Sequence, residues 1–283
     1  MTNQSVLEKL KKDYLDYVLS WVEPNRLKLV KVEFCASRIM ADIASALVFR
    51  KSGPADFKVK WDADGDRVFF KDEHGRKIPA YFITALLAKI IKQKYPKAKI
   101  AHDSRLVWAI QEAAQNTCVC QAGWSNFLKF MHKNKILFGG EASGHYYFAS
   151  FASKIKRFSS REATRGSYYF NRDFILNDGL IPVVLIAEHI AKTKKTLSEL
   201  ISPYQAKYFV SPEINFKKKI DSKKIEKDYQ DAQISYSDGL SVEYPDWRFN
   251  LRPSRTENLW RLNLEARDKK ILAQKQKELY EKI

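Results

Sequence analysis

The sequence predicts an α/β protein, with mixed α/β units followed by a C-terminal α+β unit. Three observations lead there. From Tyr81 to Phe138, helical segments alternate with short apolar runs, the pattern of parallel strands joined by crossover helices. From residue 207 onward the pattern turns to short strands separated by turns, closed by one amphipathic helix. A hydrophobic share of 45% over 283 residues is ordinary for a globular chain, and the length allows one large domain or two to three modest ones.

Taken in order, Val6 to Val22 carries apolar residues at helical spacing (Leu7, Leu10, Tyr14, Tyr17, Val18) and stops before Pro24. Leu27 to Phe34 reads as a strand, Ile39 to Phe49 as a helix and Phe57 to Trp61 as a strand. The Asp72-Glu73-His74-Gly75 turn makes Arg67 to Lys77 a hairpin, and the first unit covers 1–77. In the second unit, 78–204, Tyr81 to Gln93, Leu106 to Ala114 and Ser125 to His132 are helices. Ala98 to Ala101, Thr117 to Gln121 and Ile136 to Phe138 are the strands between them. Ser150 to Asp173, polar, basic and rich in Ser and Arg, reads as an insertion or mobile loop. Gly179 to Lys192 and Leu197 to Ile201 close the unit as helices.

The third unit, 205–283, opens with a strand from Lys207 to Phe216 and a helix from Ser222 to Tyr229. Ile234 to Tyr236, Leu240 to Tyr244, Asp246 to Leu251 and Leu259 to Glu265 are strands, with Asp238-Gly239 as a hairpin turn. Lys269 to Tyr280 is the final helix.

The formal net charge of +17 would suit nucleic acid, an anionic membrane surface or anionic metabolites. No DNA- or RNA-recognition module is visible, which argues against a nucleic-acid partner. The densest basic run, Lys217 to Lys219 with Lys223 and Lys224, reads as a solvated face. Cys35, Cys118 and Cys120 form no disulfide framework and no zinc pattern, as expected of buried thiols in a reducing cytoplasm. The N-terminal residues lack the form of a signal peptide, and the longest apolar run, Leu180 to Ala187, is too short to span a membrane.

Chemistry concentrates in three loops. In Asp62-Ala63-Asp64-Gly65-Asp66-Arg67, three carboxylates alternate over five residues. Like charges that close repel unless a cation lies between them, and oxygen-only ligands suit Mg²⁺, Mn²⁺ or Ca²⁺. An EF-hand begins similarly and would place Glu73 at its twelfth position, but its sixth needs a turning Gly where Arg67 stands. A solvated acidic turn is the plainer alternative. In Gly139 to His145, glycines permit a tight bend, and Glu141, Ser143 and His145 offer groups suited to sugar hydroxyls. A polar turn between strands fits equally well. Arg252-Pro253-Ser254-Arg255-Thr256-Glu257, with Arg261 beyond it, combines guanidiniums and hydroxyls into a cradle for a phosphate dianion, or forms an exposed basic loop.

In this order the three loops resemble those of the α-D-phosphohexomutase family, which includes phosphomannomutases and phosphoglucomutases. Asp-Ala-Asp-Gly-Asp-Arg looks like its metal loop, Gly-Gly-Glu-Ala-Ser-Gly-His like its sugar loop and Arg-Pro-Ser-Arg-Thr-Glu like its phosphate loop. Asn177 to Leu180, Tyr244 to Trp247 and Arg261 to Ala266 support the match, which runs from about Leu7 to the C-terminus.

The resemblance implies phosphohexomutase-like domains around a cleft, and phosphoryl transfer between the 1- and 6-positions of mannose or glucose phosphates through a phosphoserine. By it, Asp62, Asp64 and Asp66 would hold Mg²⁺, and Arg67 would sit beside the transferring group. Glu141, Ser143 and His145 would grip the sugar; Arg252, Ser254, Arg255, Thr256 and Arg261 would hold the distal phosphate.

Departures are equally specific. No Thr-Ala-Ser-His-Asn-Pro nucleophile loop is found, and Ser37 in Cys35-Ala36-Ser37-Arg38 has no identifiable base. The second family domain is shortened, with about two dozen residues between Ser37 and Asp62. Gly123-Trp124-Ser125 stands where Gly-His-Ser is usual, a lysine is missing around His102 to Arg105, and Arg255 replaces the usual Asn or Gly. The expectation is a mutase that needs a separate chain carrying the phosphoserine domain or a phosphoryl donor in solution; the expected protein partner is that chain or a second copy in a homodimer. The alternative is a catalytically silent Mg²⁺-dependent sugar-phosphate-binding or regulatory protein.

Overall fold

A computed structural model of the chain describes residues 3–35, 38–150, 174–254 and 256–283. The expectations placed on Ser37, on residues 151–173 and on Arg255 lie outside the described residues.

The first unit begins with helix α1 (Asn3–Ser20), then α2 (Pro24–Leu27), β1 (Val32–Cys35), α3 (Arg38–Ser45), β2 (Phe57–Trp61), β3 (Val68–Lys71) and β4 (Lys77–Ile78). The strands form one sheet in the order β1-β2-β3-β4, with β1 and β2 parallel and the others antiparallel. Alternate residues of β2 and β3 are buried (Phe57, Val59, Trp61; Val68, Phe70), so one face packs on the core. The strand expected over Leu27 to Phe34 is corrected. Pro24 sits at the first position of α2, where its missing N–H costs nothing, and extended structure starts only at Val32.

The second unit holds α4 (Ala80–Lys94), β5 (Ile100–Asp103), α5 (Trp108–Ala114), β6 (Cys118–Cys120), α6 (Trp124–Asn134), β7 (Phe138–Gly140), β8 (Tyr146–Ser150), β9 (Phe174–Asn177), α7 (Ile181–Thr193) and α8 (Leu197–Gln205). Its sheet runs β6-β5-β7-β8-β9. The three strands between crossover helices pair in parallel, as the alternation requires, while β8 and β9 add antiparallel. Strand β9 was not foreseen, since no turn signal separates it from the polar stretch before it. Helices α4 and α7 are buried almost all round, because sheet and helices cover them on every side. One core runs from Tyr17 to Tyr208, so the first two sheets share it; a smaller cluster fills the space under α6.

The last unit contains β10 (Phe209–Val210), β11 (Ile214–Phe216), α9 (Ser222–Glu226), β12 (Gln233–Ser235), β13 (Leu240–Glu243), β14 (Trp247–Pro253), β15 (Trp260–Ala266) and α10 (Lys269–Lys282), around its own core. The order is β10-β15-β14-β13-β12, with β11 also on β15. The helix expected over Ser222 to Tyr229 is α9 followed by a 3₁₀ turn, Lys227–Tyr229.

The single strand expected over Lys207 to Phe216 is in fact two. Val210 pairs with Glu265 and Ile214 with Leu262, so residues 211–213 face only 263–264 on β15. Ser211 is fastened to Leu264 by two hydrogen bonds (2.9 and 3.0 Å), and Pro212 has no N–H to continue the ladder. The result is a β-bulge, which turns Glu213 out of the strand pattern.

A buried network seats this unit on the second. Glu265 is fully buried and accepts from Tyr81 Oη (2.6 Å), the Val107 amide (2.7 Å) and Arg248 Nη1 (2.9 Å). Arg248 also donates to the carbonyls of Ser104 and Arg105, both at 3.0 Å. Arg267 lies over Trp108, 4.8 Å from the ring centroid. This seam fixes the β14–β15 loop relative to β5 and its following turn.

Candidate active site

The Asp62–Arg67 loop joins β2 to β3. Asp62 Oδ1 accepts from the amides of Gly65 and Arg67, both at 3.2 Å, and Gly65 turns with φ 81°. A side chain at Gly65 would strike Met40 of α3, and one at Gly179 would strike the Gly65 carbonyl. The Trp61 indole donates to the Gly179 carbonyl (2.8 Å). The loop is thus clamped between α3 and the start of α7.

One carboxylate oxygen from each of Asp62, Asp64 and Asp66 lies within 4.8 Å of the others. Burial raises Asp62, but bonds from the Arg67 side chain (Nε, 2.5 Å) and amide bring it below the usual carboxylate range. Asp66 goes the other way: burial, and then the charges of Asp64 and Asp62, raise it against the opposing pull of His145. A cation between the three would relieve that repulsion, so the oxygen-only donor set and its spacing fit a hard divalent ion.

The sugar-loop candidate connects β7 to β8 and meets the acidic loop directly. Val68 N donates to the Gly144 carbonyl (3.2 Å), and Arg67 and His145 form an isolated β-bridge. His145 Nε2 is 3.5 Å from Asp66 Oδ2. Its Nδ1 lies 3.0 Å from Ser143 Oγ and 3.3 Å from Glu141 Oε2. Glu141 is buried and also accepts from the Gly123 amide (2.6 Å) and Tyr147 Oη (3.0 Å). Burial would raise its pKa, yet His145, Arg105 and the Gly123 amide hold it below the usual range. Ser143 and His145 are half-buried, whereas Glu141 is buried and contacts both. Trp124, next to Gly123, is 58% exposed.

The third cluster surrounds Glu213. Arg261 Nη1 is 3.3 Å from Glu213 Oε1; Arg252 Nη2 and Arg105 Nη1 are 3.8 and 4.0 Å from Oε2. Arg252 and Arg261 are cross-strand partners on β14 and β15, while Arg105 comes from the turn after β5. Arg105 is anchored by Asp103 (2.6 Å), and Arg261 also bonds Glu257. The Nε atoms of Arg105, Arg252 and Arg261 are all buried without a hydrogen-bond partner. Burial, and then the charge of Arg105, lower the pKa of Arg252 against the opposing pull of Asp238, whose Oδ2 is 3.8 Å from its Nε, and of Asp103 and Glu213. Ser254 is half-buried beside Arg252, and Thr256 is exposed.

Known proteins resemble this chain in sequence and in fold. Residues 79–208 match the family model for the phosphoglucomutase/phosphomannomutase alpha/beta/alpha domain III. The chain is 35% identical over 235 residues to phosphohexose mutases of Xanthomonas campestris pv. campestris strain B100, covering 79% of this chain and 47% of that protein. It is 36% identical over 222 residues to the phosphomannomutase of Escherichia coli K12, covering 75% and 44%. The chain belongs to the phosphohexomutase family. It spans about half the length of these relatives. A solved phosphoglucomutase/phosphomannomutase family protein from Burkholderia thailandensis shares the fold at 20% identity, with a TM-score of 0.65 over 94% of this chain and 63% of that one.

Within the family frame, the structure adds residues that sequence reasoning did not assign. Asn177 donates to Asp66 Oδ2 (2.7 Å), and Asp178 caps α7 through the Leu180 and Ile181 amides (2.7 Å each). The neighbouring Asp178-Gly179 pair was the available signal for that position. Arg105 supplies a guanidinium in the stretch expected to lack the family's lysine. Its charge carried no periodicity to mark it. The lysines at 217–219, 223 and 224 are exposed, as a solvated face requires. Among the described residues, no helix is long and apolar enough to cross a membrane.

Proposed function

We propose that this chain binds a hexose phosphate together with Mg²⁺ and supplies the metal, sugar and distal-phosphate loops for phosphoryl transfer between the 1- and 6-positions. One observation carries the reading: a continuous line of charged contacts links the three loops. It runs from Asp66 to His145 (3.5 Å), Glu141 (3.3 Å), Arg105 (4.0 Å), Glu213 (4.0 Å) and Arg252 (3.8 Å). Divided as 1–77, 78–204 and 205–283, each unit contributes one loop.

Mg²⁺ held by Asp62, Asp64 and Asp66 would neutralise charge on the phosphoryl oxygens. Arg67, exposed at the edge of that loop, offers a guanidinium to the same oxygens. Ser143 and His145 orient sugar hydroxyls, with Glu141 fixing the imidazole. Arg252, Arg261 and the Ser254 hydroxyl receive the phosphate at the far end, and Arg255 and Thr256 complete that loop by family likeness. Such a site works mainly by positioning and charge stabilisation.

We take the relay phosphoserine to come from a domain outside these 283 residues, as a separate chain would supply it, and the setting to be a reducing cytoplasm. Burial pushes the Cys120 thiol up to about 12, as suits an unreactive cysteine there. A second reading, silent Mg²⁺-dependent binding, is favoured by Trp124, an exposed indole where a polar group is usual.

Phosphorus NMR of the chain with Mg²⁺, mannose 1-phosphate and a trace of hexose 1,6-bisphosphate tests both. Conversion to the 6-phosphate is expected if a relay is available, and Mg²⁺-dependent broadening without conversion if it is not. An unperturbed spectrum would reject sugar-phosphate handling altogether.

A further inference from the structure

We propose that Glu213 is a built-in occupant of the phosphate site, a carboxylate that stands among the three guanidiniums until a phosphate displaces it. The inference rests on the phosphate reading above and extends it to a residue outside the family's phosphate loop.

Three features point the same way. First, the backbone is built to deliver this side chain. The bulge after Ser211 and the break at Pro212 place a carboxylate among three arginines drawn from separate elements, β14, β15 and the turn after β5. Second, the fit is poor. All three contacts, 3.3 to 4.0 Å, are longer than the roughly 2.7–2.9 Å of a charge-assisted hydrogen bond. A carboxylate with a purely structural role, such as Glu265 nearby, closes to 2.6–2.9 Å. Third, donors are left over: the buried Nε–H of Arg105, Arg252 and Arg261 lacks an acceptor in each case.

Neither Glu213 oxygen closes to charge-assisted hydrogen-bond length on any of the three guanidiniums. A phosphate dianion brings more acceptor oxygens and a second charge to the same donors. Glu213 is 27% exposed, so its carboxylate has a route to water when the site fills. Until then it limits mutual repulsion between the arginines. Phosphate affinity is therefore set by exchange of one anion for another.

Isothermal titration with inorganic phosphate and with glucose 1-phosphate, at fixed ionic strength, tests this on wild type, Glu213→Gln, Glu213→Asp and Arg252→Met. The expected result is roughly tenfold or tighter phosphate binding by Glu213→Gln, the scale on which one like charge a few ångström from an anion acts. Glu213→Asp, shorter but still charged, should bind like wild type or only slightly tighter, which separates charge from shape. If wild type binds no phosphate and Glu213→Gln does, the internal competitor is likewise supported.

Unchanged or weaker binding by a cooperatively melting Glu213→Gln variant overturns the role of Glu213. If Arg252→Met still abolishes binding in that case, the phosphate site itself stands. Binding untouched by Arg252→Met overturns both.

Discussion

Two carboxylates contacting the β14–β15 pair, Glu265 and Glu213, meet arginines in opposite ways. Glu265 lies on β15 and is sealed from water. Its oxygens are taken up by a tyrosine, an amide and Arg248 at 2.6–2.9 Å. Glu213 lies on a bulge, keeps some exposure and stands 3.3–4.0 Å from Arg105, Arg252 and Arg261. The same ion types therefore make a rivet in one place and a receptor in the other. What separates them is saturation: a network with every donor paired holds structure together, while one with donors left over is prepared for something else.

The largest effect is expected at the rivet. Arg248→Met leaves Glu265 buried with its cation gone, a change that typically costs about 3–5 kcal/mol. Calorimetry should show the melting temperature falling on the order of 10 °C. The C-terminal core should also uncouple from the rest, since Arg248 ties β14 to the Ser104 and Arg105 carbonyls. A loss below about 1 kcal/mol, within the range of an exposed ion pair, would break the comparison.

The receptor should respond in the opposite sense. Burial and the charge of Arg105 both disfavour the Arg252 cation, so Arg252→Met is expected to leave stability within about 1 kcal/mol of wild type, or to raise it. Phosphate binding should weaken by about tenfold to a hundredfold, as one charged contact is lost. Melting curves and phosphate titrations on the same preparation separate the two outcomes. Equal loss of stability in Arg248→Met and Arg252→Met would mean that both clusters are structural.

Much of this arrangement was legible in the sequence, and the failures have physical causes. The alternation of helix-length segments with short apolar runs from Tyr81 to Phe138 pointed to the parallel strands, because a parallel pair needs a crossover between its strands. The three loops stood out through glycines and clustered charges, but a solvated acidic turn, a polar turn and an exposed basic loop suited the same residues, and the family resemblance chose between them. The bulge at 211–213 was not, since one extra residue leaves the composition of a strand unchanged. Arg105 and Glu213 were invisible for a related reason: each is a lone charge in its own segment, and only the fold brings them within 4.0 Å. Strand β9 went unseen because antiparallel addition at a sheet edge needs no helix before it.

The last case lies between rivet and receptor, at Asp103. It is saturated like Glu265, taking Arg105 through side chain (2.6 Å) and amide (2.9 Å) and the Ala142 amide at 2.8 Å. Its partner Arg105 nevertheless points into the receptor. Burial would raise the Asp103 pKa, but the charge and hydrogen bonds of Arg105 outweigh burial, and the folded value lies below the ordinary one. A depressed carboxyl stabilises the fold above its unfolded pKa, about 4, and loses that contribution as pH falls through the folded value. Asp103→Asn should therefore cost about 1–3 kcal/mol at pH 7, with urea midpoints differing from wild type by a constant gap above about pH 5. Below about pH 4 the gap should close. The wild-type profile alone would mislead, because burial raises Asp178 and its contribution grows as pH falls. Subtracting the variant's profile cancels Asp178 and isolates Asp103. A gap that stays constant down to pH 3 would show that Asp103 holds Arg105 by shape alone, and that charge plays no part in aiming Arg105 at the receptor.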